Sequence, residues 1–387
     1  MKYLILLGDG MADWPIKQLD GKTPLEYADT PNMDRIAGGV VGMVKTVPDG
    51  YPPGSDVANL SVLGYDPKKY YTGRAPLEAA SKGVPMNDSD VAYRCNFVNI
   101  ENGIMKDFAA GHISTDKAHK LIELLNEKLN FEGIEFFGGV SYRNLMIWRN
   151  GLTDDTTPPH DISDKQIDEH LPKGDAKDTL NAIMNEAKKI LQNNDIHKEA
   201  NAIWLWGEGK KPSMPLFYDM FQKNGCMISA VDLMVGIGRL TGLEIPNVEG
   251  MTGFIDTNYE GKINAAFDFF KHGGDFAYVH VEATDEAGHM GELDTKIKAI
   301  ELFDKKIVGE ALRMADEIEG GLRIAVLPDH PTPIEIKTHT SEPVPFAMFD
   351  TGQVIDKIGQ YTENYCKQSG VFIENGYSLI KDVLFKG

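Results

Sequence analysis

The sequence predicts an α/β fold: a mostly parallel central sheet covered by helices on both faces, with a smaller α+β domain inserted into it. Three observations point there. Short apolar runs recur along the chain and mostly end in or near Gly, Asp or Pro, as buried parallel strands do. Helical patterns lie between them, the alternation expected of a parallel sheet. One stretch, 91–193, reads differently from the rest.

The strand-like runs are 3–7, 202–206, 227–231, 276–281, 323–327 and 346–349. Each is short and lacks clean polar alternation, so each predicts a strand buried on both faces. Helices are predicted at 180–191, 214–223, 259–271 and along a stretch around 297–312. There Ile297, Ile300, Ile307, Val308 and Leu312 form an apolar stripe near helical spacing. Within 91–193, segments 93–100 and 134–148 are strand-like but more polar, and 117–129 and 178–191 are helical. Segment 151–173 is rich in Asp, Thr and Pro and reads as a loop. The expected organisation is a core domain of 1–90 with 194–387 and an inserted domain of 91–193. A chain of 387 residues can bury a core in each.

Charge narrows the partners. Lys and Arg number 39 and Asp and Glu 58, a net charge of −19. A surface that negative repels nucleic-acid phosphates and anionic lipid, so neither is expected as a partner. No apolar run approaches the roughly 20 residues of a membrane span, and the first apolar run is too short for a secretory signal. Cys95, Cys226 and Cys366 lie far apart with no CxxC pair, which fits a reducing compartment. The expected location is the cytoplasm. A homo-oligomer is compatible with these features.

In open α/β sheets, functional residues collect beyond the carboxyl ends of strands. Asp9 follows the first run, Asp285 and His289 follow 276–281, and Asp329 and His330 follow 323–327, with His339 nine residues on. Asp and His together suit a borderline divalent ion such as Zn²⁺ or Mn²⁺. Six such groups exceed one tetrahedral shell and divide naturally between two ions, an arrangement used in phosphoryl displacement. The i, i+4 spacing of Asp285 and His289 aims both at one point. The other histidines, 112, 119, 170, 197, 272 and 280, read as ordinary buried or solvated side chains. Ser55 follows a Pro-Pro-Gly turn at the start of a helix-like stretch. Its hydroxyl suits either an N-cap or a nucleophile held where helix amides attract anions. The Gly236–Gly242 cluster lacks dinucleotide spacing, 207–211 lacks the complete P-loop pattern, and no Gly-x-Ser-x-Gly elbow is present.

These residues resemble a known family. Gly-Asp-Gly at 8–10, Pro-Gly-Ser-Asp-Val-Ala-Asn at 53–59, Asp-Glu-Ala-Gly-His at 285–289, Pro-Asp-His at 328–330 and the later Thr-His at 338–339 are similar to motifs of the alkaline phosphatase superfamily. The segment YTGRAPLEAAS at 71–81, Arg-Cys-Asn-Phe at 94–97 and the run 256–262 resemble the archaeal-type, cofactor-independent phosphoglycerate mutases. The resemblance extends from residue 4 to about residue 345.

The resemblance implies an alkaline-phosphatase-like three-layer sandwich with an inserted cap domain. It implies interconversion of 3-phosphoglycerate and 2-phosphoglycerate through a phosphoserine on Ser55, without 2,3-bisphosphoglycerate. The implied cofactors are two divalent ions: Mn²⁺ or Zn²⁺, with Mg²⁺ a third option. Asp9, Ser55, Asp329 and His330 would surround one ion, and Asp285, His289 and His339 would hold the other. The implied partner is a small phosphorylated hydroxy acid. The inserted domain would close over it, with Arg94 and Arg143 as cationic candidates and His160 and Asp161 as candidates for proton transfer. Read alone, Arg94 and Arg143 fit a solvated strand face equally well, and His160 and Asp161 fit a solvated loop pair better. The sequence departs from the archaeal pattern at His112, Pro158 and Trp206. Two of those places, 112 and 206, hold arginine in archaeal members. The alternative activity is therefore another metal-dependent phosphotransferase or phosphatase, including a proposed homoserine kinase role.

Overall fold

The computed structural model describes residues 1–353 and 358–386. Among them are twelve strands: β1 (Lys2–Gly8), β2 (Val40–Val44), β3 (Val91–Glu101), β4 (Ile104–Asp107), β5 (Ile134–Val140), β6 (Arg143–Trp148), β7 (Ala202–Lys210), β8 (Gly225–Ile228), β9 (Phe276–Val281), β10 (Leu322–Leu327), β11 (Val344–Asp350) and β12 (Phe372–Ile373). The chain forms two compact units, Met1–Tyr71 with Met214–Gly387, and Thr72–Ser213. The second unit is thus wider at both ends than 91–193.

The first unit is built on a seven-stranded sheet in the order β12-β2-β11-β10-β1-β9-β8. Strands β10, β1, β9 and β8 run parallel. Both faces of β1 are apolar because both are covered. Leu4 and Leu6 join the core packed by helices Tyr259–Lys271 and Leu293–Phe303. Ile5 lines a cleft with Leu379, Ile380 and Leu384 from the other side. The unit is therefore a three-layer α/β/α sandwich. Helix Tyr259–Lys271 starts where Asn258 caps it by accepting from the Gly261 N–H. The long apolar stripe is continuous only through a π turn, Asp304–Val308, between helices Leu293–Phe303 and Gly309–Met314. That turn aims Asp304 at the first turn of helix Pro31–Ile36, where it accepts from the Met33 N–H at 2.7 Å.

Strand 346–349 departs from the expected direction: β11 is antiparallel to both β10 and β2. The run 202–206 is corrected further. It belongs to β7, which pairs antiparallel with β3 in the second unit. Its apolar pattern reflects burial within that unit's own core, with Ile203, Trp204 and Leu205 nearly inaccessible. Periodicity alone does not distinguish the two kinds of buried strand. The second unit is a five-stranded antiparallel sheet, β4-β3-β6-β5 with β7 on the other edge of β3. Helices Thr115–Lys128 and Lys177–Leu191 contribute to its core.

The register places the site. Leu7 of β1 lies beside Leu327 of β10, and Gly8 lies beside Val281 of β9. Three parallel strands thus end level, and whatever follows them meets at one edge.

Candidate metal and phosphoryl-transfer centre

Asp9 leaves β1 with its N–H bonded to the Val281 carbonyl at 2.9 Å. Gly10 then turns with φ of +60°. A Cβ there would fall 2.4 Å from both Asp285 Oδ1 and Thr332 Oγ1, so only glycine lets these groups close in. The Gly10 N–H donates to Asp329 Oδ1 at 3.1 Å, and the His330 N–H donates to the same oxygen at 2.9 Å. These bonds fix the loop after β10. Helix Ala283–Met290 follows β9 and carries Asp285 and His289 on one face, with His289 Nε2 3.2 Å from Asp285 Oδ2. The His289 Nδ1 lies 3.0 Å from the Lys337 carbonyl. His339 Nε2 is 2.8 Å from His289 Nε2 and 3.4 Å from Asp285 Oδ1.

Ser55 is the first residue of helix Ser55–Val62, and Gly54 occupies the N-cap position. The serine hydroxyl is therefore not a cap. It lies 3.5 Å from Asp9 Oδ2 and 3.2 Å from His330 Nε2. Asn59, one turn on, donates from Nδ2 to the Ser55 carbonyl and to Asp329 Oδ2, both at 2.8 Å. Its Oδ1 accepts from the Tyr278 hydroxyl at 2.5 Å. One amide thus joins the serine's main chain, the carboxylate after β10 and the interior of β9.

Asp9, Ser55, Asp285, His289, Asp329, His330 and His339 all meet in the first unit. Donor atoms of Asp285, His330 and His339 lie within 4.8 Å of one another, as do those of Asp9, Asp329 and His280. His330 stands between the groups, its Nε2 3.5 Å from Asp9 Oδ1 and 3.4 Å from Asp329 Oδ2. His280, read from sequence as an ordinary histidine, is fully buried with Nε2 2.9 Å from Asp9 Oδ2. Its signal was a lone polar residue near the carboxyl end of an otherwise apolar strand.

Electrostatics fit a cation here. Burial, then the nearby carboxylates of Asp329, Asp285 and Glu282, push Asp9 well above the usual carboxylate range. Asp9 Oδ1 is buried with no hydrogen-bond partner, a costly state unless something positive sits against it. Burial would also raise Asp285, but hydrogen bonds from His289 and His339 overcome it and hold this carboxyl well below its ordinary value. The same bond lifts His289 to about 9, so a cation must displace a proton to use that nitrogen. Burial lowers His330, which keeps its imidazole neutral and able to ligate. An Asp/His/Ser donor set of this kind suits a borderline divalent ion.

The remaining candidates lie in the second unit. Arg94 is buried, pairs with Glu78 at 3.1 Å and stacks its guanidinium 4.1 Å from the Trp206 ring centre. His160 is exposed beside Asp161 at 3.6 Å and meets Trp206 edge-on, with ring centres 5.4 Å apart. Arg143 is exposed, 5.7 Å from the Tyr142 ring centre. His112 packs edge-on against the same tyrosine.

A serine at a helix start, facing buried Asp and His at the carboxyl edge of a parallel sheet, defines an α/β protein with a compact Ser/Asp/His centre. Comparison with known proteins specifies it. A family model described as 2,3-bisphosphoglycerate-independent phosphoglycerate mutase matches residues 37–197. A protein from Geobacter sulfurreducens, called a probable 2,3-bisphosphoglycerate-independent phosphoglycerate mutase, is 48% identical over 99% of this chain and 100% of its own. A Methanothrix thermoacetophila mutase of that name is 46% identical over 98% of this chain and 99% of its own. The solved cofactor-independent phosphoglycerate mutase of Thermoplasma acidophilum superposes with a TM-score of 0.66 at 26% identity, covering 99% of both chains. The chain belongs to the 2,3-bisphosphoglycerate-independent phosphoglycerate mutase family.

Proposed function

We infer that the protein interconverts 3-phosphoglycerate and 2-phosphoglycerate through a phosphoserine on Ser55. The observation that supports this most directly is the placement of Ser55. Its hydroxyl is free of capping duty and lies 3.2 Å from His330 and 3.5 Å from Asp9. In this reading Ser55 Oγ attacks phosphorus, a new P–O bond forms, and the bond to the glycerate 3-oxygen breaks. That oxygen leaves with a proton. The proton it takes balances the one Ser55 loses on attack; glycerate then reorients, its 2-hydroxyl attacks the phosphoserine while losing a proton, the Ser55 Oγ–P bond breaks, and Oγ takes a proton back. Gly54 offers helix Ser55–Val62 no side-chain cap; Asp56 Oδ1 takes the Val57 N–H at 2.9 Å, and the remaining first-turn amides and the dipole favour an anion at this end. Asn59 keeps that turn in place.

Two divalent cations, held by Asp9, Asp329 and His330 near Ser55 and by Asp285, His289 and His339, would stabilise charge on the phosphoryl oxygens and lower the pKa of the serine hydroxyl. Mn²⁺ and Zn²⁺ both match the donors, with Mg²⁺ less suited to imidazole. Cys95, Cys226 and Cys366 are buried and free, and the proposed location is the cytoplasm, where thiols stay reduced. Among the described residues, no helix is long and apolar enough to cross a membrane.

The test is incubation of Mn²⁺-loaded protein with 3-phosphoglycerate. The expected product is 2-phosphoglycerate, with Ser55→Ala inactive and a phosphoserine at residue 55 detected by mass spectrometry after acid quench. Free phosphate as the sole product would make the protein a phosphatase and overturn the mutase reading.

A further inference from the structure

We propose that His280 is a positioning residue for Asp9: a fixed N–H donor that turns the carboxylate so that its second oxygen faces a cation. The proposal rests on the metal-dependent reading above and extends it to a residue outside the expected ligand set.

The hydrogen bonds assign the tautomer. Ser229 Oγ accepts from the Val231 N–H at 3.0 Å and lies 3.1 Å from His280 Nδ1. The serine hydroxyl still has its own proton to give, and Nδ1 is the acceptor within its reach. That leaves the ring's own proton on Nε2, 2.9 Å from Asp9 Oδ2. With a cation against Oδ1 the Asp9 carboxylate is ionised and can only accept, so a proton on Nε2 suits both ends of the ring. A nitrogen that carries a proton cannot ligate a metal. Although His280 Nε2 lies within 4.8 Å of donor atoms of Asp9 and Asp329, its role is to hold a ligand.

The ring is also anchored from behind. Its residue sits in β9, fully buried, and its carbonyl accepts from Lys262 Nζ at 2.9 Å. With Oδ2 engaged by His280, Asp9 Oδ1 is the oxygen left buried without a hydrogen bond. Thr284 Oγ1 holds the Asp9 carbonyl as well, so backbone and side chain of Asp9 are both set. Partners of this kind typically change metal affinity by about 10–100-fold when removed.

The experiment is Mn²⁺ titration of the metal-free full-length protein, read by electron paramagnetic resonance and calorimetry, with circular dichroism confirming the fold. The wild type should bind two ions. Failure to bind any would overturn the metal reading itself. His280→Ala should weaken one site by about 10–100-fold and leave the other unchanged. His280→Gln places an N–H donor at similar reach and should restore most of that affinity. Ser229→Ala, which frees the tautomer without touching Asp9, should weaken the same site less than His280→Ala does, and keeps the proposal testable if His280→Ala does not fold. Wild-type binding at both sites in His280→Ala would overturn the proposal. A loss in His280→Gln as large as in His280→Ala would also overturn it, because the ring would then be a ligand.

Discussion

At the scale of single residues, Asn59 shows how closely this centre is specified. Both protons of its amide are used, on the Ser55 carbonyl and on Asp329 Oδ2, and its oxygen takes the Tyr278 hydroxyl. A buried amide so placed is fully satisfied. Asn59→Asp keeps the size and replaces a donor with a carboxylate facing Asp329. The expected result is a fall in mutase kcat of about 10–100-fold, the usual effect of disturbing a ligand's hydrogen-bonded partner, with weaker Mn²⁺ binding. Steady-state kinetics across a Mn²⁺ series would check it, and an unchanged kcat at every Mn²⁺ level would show that Asn59 positions nothing. Asp9, Asp285, His289, Asp329, His330 and His339 were legible in the sequence because each follows a strand or closes a recognisable spacing. Asn59, Tyr278 and His280 were not. Asn59 sits inside a buried helix and the other two inside an apolar strand, where local pattern reports burial and hides the polar contact.

At the scale of elements, the helix beginning at Ser55 separates two roles that sequence left open. A serine after Pro-Pro-Gly suits an N-cap, yet Gly54 takes that position and the hydroxyl turns toward Asp9 and His330. Thr23 provides the contrast. It caps helix Pro24–Tyr27 in a full capping box, accepting from the Glu26 N–H while Glu26 accepts from its own. Thr23→Ala should cost about 1 kcal/mol for the lost cap and more for the lost bond to Glu363. Ser55→Ala should change stability by no more than about 0.5 kcal/mol, since no cap is lost. Urea unfolding of both variants in metal-free buffer checks the pair, and a Ser55→Ala loss equal to that of Thr23→Ala would return the serine to a capping role. The same limit explains the strand errors. The runs at 276–281 and 323–327 gave β9 and β10 because strand and core coincide there. The run at 202–206 was misplaced because a five-residue apolar stretch says that a strand is buried but not in which sheet. The direction of β11 is likewise a property of chain connection that composition does not carry.

At the scale of the whole molecule, distant stretches of the first unit are tied by buried charge, and this makes stability depend on pH. Glu363, late in the chain, accepts from the Asp13 N–H at 3.3 Å and from Thr23 Oγ1 at 2.7 Å. Asp13 in turn pairs with the buried Lys296 at 2.8 Å, whose Nζ also reaches the Thr332 carbonyl at 2.8 Å. Burial is the largest influence on Glu363. Hydrogen bonds from Thr23, from its own backbone N–H and from the Asp13 N–H offset part of it, Glu26 adds to it, and the carboxyl is raised to about 7 from an ordinary 4.5. Between those values the unfolded chain has released this proton and the folded chain keeps it. The folded state binds more protons there, so stability falls as pH rises. The loss begins near pH 4.5 and is complete a little above pH 7, amounting to about 3 kcal/mol for this one group. Glu363→Gln keeps an acceptor for the Asp13 N–H and removes the titration. Urea unfolding between pH 5 and pH 8 should therefore show a shallower decline in the variant than in the wild type, with the variant the more stable protein at pH 8. Parallel profiles would mean that Glu363 is ionised in the folded chain across that range. On a protein of net charge −19, a carboxyl kept neutral by burial is one way to join distant segments without adding to the repulsion.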